Sequence, residues 1–184
     1  MNHWLLPTSA DLSGESYPHR SDFREILRVL DILSDEGRPE LYRWYLALAY
    51  FFLRPIPRQR EGEAMAYMAE FLSCGDPGRP GPKLLDWQLD APEIIADINA
   101  VAGREIRALE YLHWWSFLSF FRGIGEGQLS RLVTIRDKLH RGKKLEAWEQ
   151  EYYRRNRDKV RLRPPETPAQ AAEKQRLQAL LAEC

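Results

Sequence analysis

The chain is poor in cysteine, with only Cys74 and Cys184 among 184 residues. Two thiols so placed form neither a disulfide framework nor a zinc-ligand pattern, which fits a reducing cytosol. It has no excess charge of either sign: Lys plus Arg and Asp plus Glu each number 27. That balance excludes a uniformly basic nucleic-acid coat and a uniformly acidic disordered tail. It has no long hydrophobic run. The longest, Trp44 to Leu53, covers ten residues, whereas a membrane-spanning helix needs about 20. No basic stretch followed by an apolar one opens the chain, so no signal peptide and no membrane association are expected. The four histidines, His3, His19, His113 and His140, stand in no H-E-x-x-H, H-x-H or His/Cys cluster, and no Ser or Cys carries a nucleophile motif. The expectation is a protein that is not an enzyme, with no catalytic residue, metal or cofactor.

What the chain has is aromatic and aliphatic residues at helical spacing, including 21 Phe, Trp and Tyr. Residues 3–20, with Pro7 and Pro18 flanking Leu12-Ser13-Gly14, read as a short β-hairpin or extended arm. Ser21 is placed to cap a helix carrying Phe23, Ile26, Leu27, Leu30 and Leu33. A second helix carries Leu41, Trp44, Tyr45, Leu48, Phe51 and Phe52, and a third, over 58–73, carries Met65, Met68, Phe71 and Leu72. Six Gly or Pro in the eight residues 75–82 make a loop. Asp90 can cap a fourth helix with Ile94, Ile95, Ile98 and Val101 on its stripe. Residues 105–122 are apolar all round, as in a central bundle helix. Helices with Leu129, Leu132, Val133 and Leu139, then Leu145, Trp148 and Tyr152, follow. Thr167-Pro168-Ala169-Gln170 opens a last one. The sum is a mainly α protein, a compact bundle of seven or eight helices. It divides into a 1–20 hairpin or arm, a 21–74 helical part, a 75–83 Gly/Pro loop, an 84–163 helical part with a basic C-terminal region, and a 164–184 helix or flexible tail.

Several features invite a chemical reading and have a plainer one. Gly123-Ile124-Gly125-Glu126-Gly127 lacks the strand and the spacing of a phosphate loop and reads as a helix stop followed by a start. Asp86, Asp90, Glu93 and Asp97 would align on a helix, but Asp90 as a cap and Glu93 in the first turn need no metal. His113, beside two tryptophans, reads as a packed, hydrogen-bonded histidine. From Arg131 to Arg163 there are 12 Lys or Arg against five Asp or Glu. This gives a basic region in which Arg136, Lys143, Lys144, Arg154, Arg155 and Arg157 form a candidate patch interleaved with Trp148, Tyr152 and Tyr153. A solvated helix face that buries Trp148 and Tyr152 is the plainer account.

Read in order, several segments carry a resemblance. They are Leu5-Leu6-Pro7-Thr8-Ser9, Tyr17-Pro18, Ser21-Asp22-Phe23-Arg24 with Ile26-Leu27, and Leu84-Leu85-Asp86-Trp87 with Asp90-Ala91. They continue with Glu105-Ile106, Tyr111-Leu112-His113-Trp114-Trp115-Ser116-Phe117-Leu118, Ile135-Arg136-Asp137-Lys138, Gly142-Lys143-Lys144-Leu145 and Trp148-Glu149-Gln150-Glu151-Tyr152. Over most of residues 5–160 the chain resembles a small family of long-tailed bacteriophages and of prophages in Gram-positive bacteria. The genes of that family lie between those of the major tail protein and the tape measure protein. The resemblance implies a tail assembly chaperone-like protein in the host bacterial cytoplasm, absent from the mature virion. Its implied client is the tape measure protein, with the major tail protein, another tail assembly chaperone or further copies of itself as possible partners. Such a chaperone needs apolar grooves for a client's apolar stripe. Trp44, Tyr45 and Phe52, or Trp114, Trp115, Phe117 and Phe121, are the candidate groove lining, each weighed against ordinary core packing. A nucleic-acid-binding phage regulator using 131–163 and a minor structural tail protein are the alternatives.

Overall fold

The computed structural model describes residues 4–76, 78 and 81–162. The helix expected from Thr167 onward lies outside the described residues. Within them the protein is mainly helical, with eight α-helices and an N-terminal two-stranded antiparallel hairpin. By its contacts the chain divides into two units. One comprises Met1–Gly81 and Ile94–Gly125, the other Pro82–Glu93 and Glu126–Cys184.

In the first unit the hairpin pairs β1 (Ser9–Leu12) with β2 (Glu15–Pro18) in the register Ser9↔Pro18 to Leu12↔Glu15. Its two-residue turn needs a left-handed backbone at both positions. Ser13 has φ +50° and Gly14 φ +81°, the type I′ pattern that matches strand twist. Period-2 alternation places Ala10, Leu12 and Tyr17 inward. Backbone bonds from Arg20 to the Phe51 carbonyl and from Leu53 to the Pro18 carbonyl, 2.9 and 3.0 Å, tie the strand exit to the next layer. That layer is the antiparallel pair α1 (Phe23–Ser34) and α2 (Glu40–Phe51). α3 (Glu61–Ser73), preceded by a 3-10 turn over Arg58–Arg60, closes the layer.

Two expectations need correction here. The cap of α1 is Asp22, whose carboxylate accepts from the Arg24 amide, and not Ser21, whose hydroxyl bonds the Tyr111 hydroxyl at 2.8 Å. Residues 105–122 are not one helix: a 3-10 turn spans Ile106–Ala108 and α5 begins only at Trp114 (Trp114–Arg122). The reason is tertiary. The backbone around Leu112 runs extended alongside residues 21–23. Phe23 donates to the Leu112 carbonyl, Trp114 to the Ser21 carbonyl and Leu112 to Asp22 Oδ2, at 2.9, 2.7 and 3.0 Å. These bonds outweigh local helix propensity.

α4 (Ala91–Ala102) begins in the second unit and ends in the first. The second unit continues with α6 (Gln128–His140), α7 (Ala147–Arg155) and the single turn α8 (Arg157–Val160). The Gly123-to-Gly127 segment is the stop and start the sequence implies: Gly123 ends α5, and the Gly127 amide is held by Ser130 Oγ at 2.8 Å ahead of α6. Leu132, Ile135, Leu145 and Val160 form the core of this unit, with Tyr152 and Tyr153 packed against it. Trp148 departs from the expected buried stripe; it is exposed and donates to Glu146 at 3.0 Å.

Candidate functional site

In the first unit, the aromatics named from the sequence divide into core and surface. Trp114, Trp115, Phe117 and Phe52 are buried, so they are packing residues; Phe52 also borders the cleft beside α2. The indoles have a second task. The last carbonyls of a helix lack internal partners, and Trp114 Nε1 and Trp115 Nε1 donate to the Leu72 and Phe71 carbonyls at the end of α3, each at 2.9 Å. Phe117 stacks on Phe23 with centroids 4.8 Å apart. Trp44 and Phe121 are half-buried. Only Tyr45 of the seven is largely exposed, at 59%.

Two buried histidines sit in this aromatic core. His19 stacks on Phe51 and meets Phe71 edge-on, both at 4.6 Å. Its Nδ1 donates to the Arg20 carbonyl at 2.8 Å, and its Nε2 lies 3.0 Å from the Tyr67 hydroxyl, whose single proton is shared with the Ser9 carbonyl, also at 3.0 Å. Burial, reinforced by His113, pushes the His19 imidazole down to about 4. His113 caps α5: its Nδ1 accepts from the Trp115 amide and its Nε2 donates to the Pro7 carbonyl, both at 3.0 Å. This network fixes the neutral tautomer, and burial lowers its affinity for a further proton. Both rings are therefore structural donors and acceptors.

The open apolar surface of this unit lies along α2 and the segment after it. Leu41, Tyr45 and Ala49 recur every four residues along α2, Leu53 follows its end, and all four are exposed, Leu41 at 81% and Leu53 at 58%. Beside this row a cleft of about 280 Å³ is floored by Leu48 and Phe52 and walled by Pro55 and Ile56, with Arg54 and Glu61 at its edge. Sequence reasoning found Tyr45 and Phe52 but missed Leu41, Leu53 and Ile56. The available signal was that Leu41 and Leu53 bracket the aromatic run at helical spacing.

In the second unit half of the basic patch is paired: Arg136, Arg154 and Arg155 meet carboxylates. Arg136 is buried and is not a surface cation. All five of its N–H groups are placed, two on Asp90 at 2.6 and 2.8 Å and three on the carbonyls of Leu84, Lys159 and Val160 at 2.9, 2.6 and 3.0 Å. Lys138 meets the buried Glu149 at 2.6 Å and is held above its ordinary ammonium range, chiefly by that bond. Lys159 pairs with Glu93. Arg154 and Arg155 share Glu151, and Arg141 pairs with Asp137. Lys143, Lys144 and Arg157 are exposed. Together with Arg131 and Arg161, they have no carboxylate partner among the described residues.

The acidic row reads as these same pairs. Asp86 meets Lys83 and accepts the Gln88 and Leu89 amides, Asp90 meets Arg136, and Glu93 meets Lys159. Asp90, the residue directly before α4, serves a guanidinium and the Asp86 amide, the latter at 3.0 Å. Among the described residues no group of three or more His, Cys, Asp or Glu could hold a metal ion, and no helix is long and apolar enough to cross a membrane.

No protein-family model, curated protein or solved structure matches this chain.

Proposed function

We propose that this chain is a tail assembly chaperone-like factor of a long-tailed phage. It binds the apolar face of the helical tape measure protein while tail-tube subunits assemble, without catalysis, in the host cytoplasm and without remaining in the particle. The ordered motifs from Leu5 to Tyr152 support the family reading. The observation that carries the binding reading is the exposed row Leu41, Tyr45, Ala49 and Leu53 beside the α2 cleft. Apolar side chains at i, i+4 and i+8 on α2, continued by Leu53 just past its end, offer a stripe against which a second amphipathic helix packs.

The test is co-expression with the neighbouring tape measure protein. The client is expected to become soluble and to co-elute with this chain. It is expected to be lost when Leu41→Glu and Tyr45→Glu are combined, a change at exposed positions that leaves folding nearly untouched. A client equally insoluble with and without the chain refutes the proposal, and recovery of the chain from purified mature particles assigns it instead to tail structure.

A further inference from the structure

A second cleft, of about 400 Å³, lies wholly within the second unit. Its floor is apolar, with Leu84, Leu139 and Val160, and among the described residues its wall carries Lys83, Arg136, His140, Arg161 and the Tyr153 phenol, with no carboxylate. Two acids pair with its basic residues without lining it. Asp90 is sealed behind Arg136, and Asp86 stands to one side, 2.8 Å from Lys83. Arg136 has no N–H left to offer, but Arg161 has. Its Nε bonds the Tyr153 hydroxyl at 2.8 Å, which fixes the guanidinium and leaves its two terminal nitrogens unpaired among the described residues. Lys83 is well exposed beyond its one carboxylate contact. Leu162 completes the wall from a left-handed backbone, φ +52°, a conformation that is unusual for a leucine.

From this charge pattern we infer that the cleft is a docking site for an acidic amphipathic peptide segment of a partner. Leucine-sized side chains would rest on Leu84, Leu139 and Val160, and a carboxylate would be held by the Arg161 fork with Lys83 beside it. A guanidinium fork matches a planar carboxylate in geometry, and the apolar floor is what a peptide with flanking leucines can use and a bare anion cannot. This inference concerns a different surface from the α2 row and does not depend on the tail-assembly reading.

Fluorescence anisotropy on the full chain tests it. The probe is a labelled helical peptide with leucines at i, i+3, i+4 and i+7 and glutamates beside them. Its match is the same peptide with every Glu replaced by Gln. The acidic peptide should bind, with affinity falling about 10- to 100-fold on Glu-to-Gln replacement, or in Arg161→Gln and Lys83→Glu proteins, the range expected for losing a charge-assisted bond. The Gln peptide keeps the test decisive even if a variant folds poorly. Equal binding of the two peptides overturns the inference. So does preferential binding of a labelled single-stranded DNA that is lost in the same variants, which assigns the cleft to phosphate. Light scattering in which the variants lose self-association instead gives the cleft to a second copy and equally overturns it. Unchanged capture of the tape measure protein by Arg161→Gln would leave the proposed function intact.

Discussion

Replacing Arg136 by Met should be among the most damaging single changes in the second unit. The guanidinium is 5% exposed, the Asp90 it serves is fully buried, and its five N–H groups reach three segments: Leu84, Asp90, and the Lys159–Val160 turn. Methionine fills much of the volume but strands one carboxylate and three carbonyls. Removing one partner of a buried pair costs about 3–5 kcal/mol, against a total stability of roughly 5–15 kcal/mol for a native protein. Arg136→Lys retains the charge but supplies three donors without the planar fork, so only part of the loss should return. The sharper measurement is a double-mutant cycle. With Asp90→Leu already made, Arg136→Met no longer strands a charge, so the double variant should lie about 2 kcal/mol or more above the sum of the singles. Urea unfolding followed by circular dichroism and by the fluorescence of Trp87 and Trp148, the tryptophans of this unit, reads the cycle. Arg136→Met within about 1 kcal/mol of the parent, or strict additivity, would refute the view that this pair is held by mutual burial.

Three further outcomes are expected. The buried His19 and His113 favour the neutral ring, so their stabilisation is full above the unfolded value near 6.5 and is lost as pH falls below it, for His19 by about pH 4; at about 1.4 kcal/mol per unit, His19 alone accounts for roughly 3 kcal/mol. A urea midpoint unchanged between pH 7 and 4.5 contradicts this. Trp115→Phe removes the donor to the Phe71 carbonyl and part of a buried ring, and should cost about 2–3 kcal/mol in thermal unfolding. Gly14→Ala meets no atom within 4 Å but keeps φ +81°, so a loss of about 1 kcal/mol would report backbone strain alone, and no loss would show that the hairpin turn relaxes.

Much of the first unit was legible because its signals are local. Pro7, Pro18 and Ser13-Gly14 mark the hairpin, and the apolar spacing from Phe23 onward marks α1. What failed was decided by distant groups. Ser21 and Asp22 are both good caps; the choice falls to Asp22 because the same carboxylate also takes Arg24 Nε at 2.7 Å and the Leu112 amide. The extended stretch before Trp114 has helical composition and exists only because residues 21–23 pair with it. The aromatics failed similarly. The aromatic run from Trp44 to Phe52 shows little preferred face, so nothing local distinguishes Phe52, in the core, from Tyr45, in solvent.

Charge was the least legible feature, because a sum over a segment does not say which charges are already engaged. The excess between Arg131 and Arg163 is met in part by acids far away in the chain: Asp90 holds Arg136 and Glu93 holds Lys159. Nearer acids hold Lys138, Arg141, Arg154 and Arg155. Among the described residues the cations left over, Arg131, Lys143, Lys144, Arg157 and Arg161, sit on α6, in the loop before α7, and around α8. They are not in one row on a single helix. Single-stranded nucleic acid releases about 0.7 counterion per phosphate neutralised, so those five cations would give a log–log salt slope no steeper than about −3.5. Titrating a fluorescent single-stranded oligonucleotide between low and physiological salt measures this slope. A value steeper than about −6 would require the paired arginines and lysines to leave their carboxylates, and would restore 131–163 as a nucleic-acid surface. A shallow slope, or no binding, leaves those cations as a solvated fringe on a unit held together by its ion pairs.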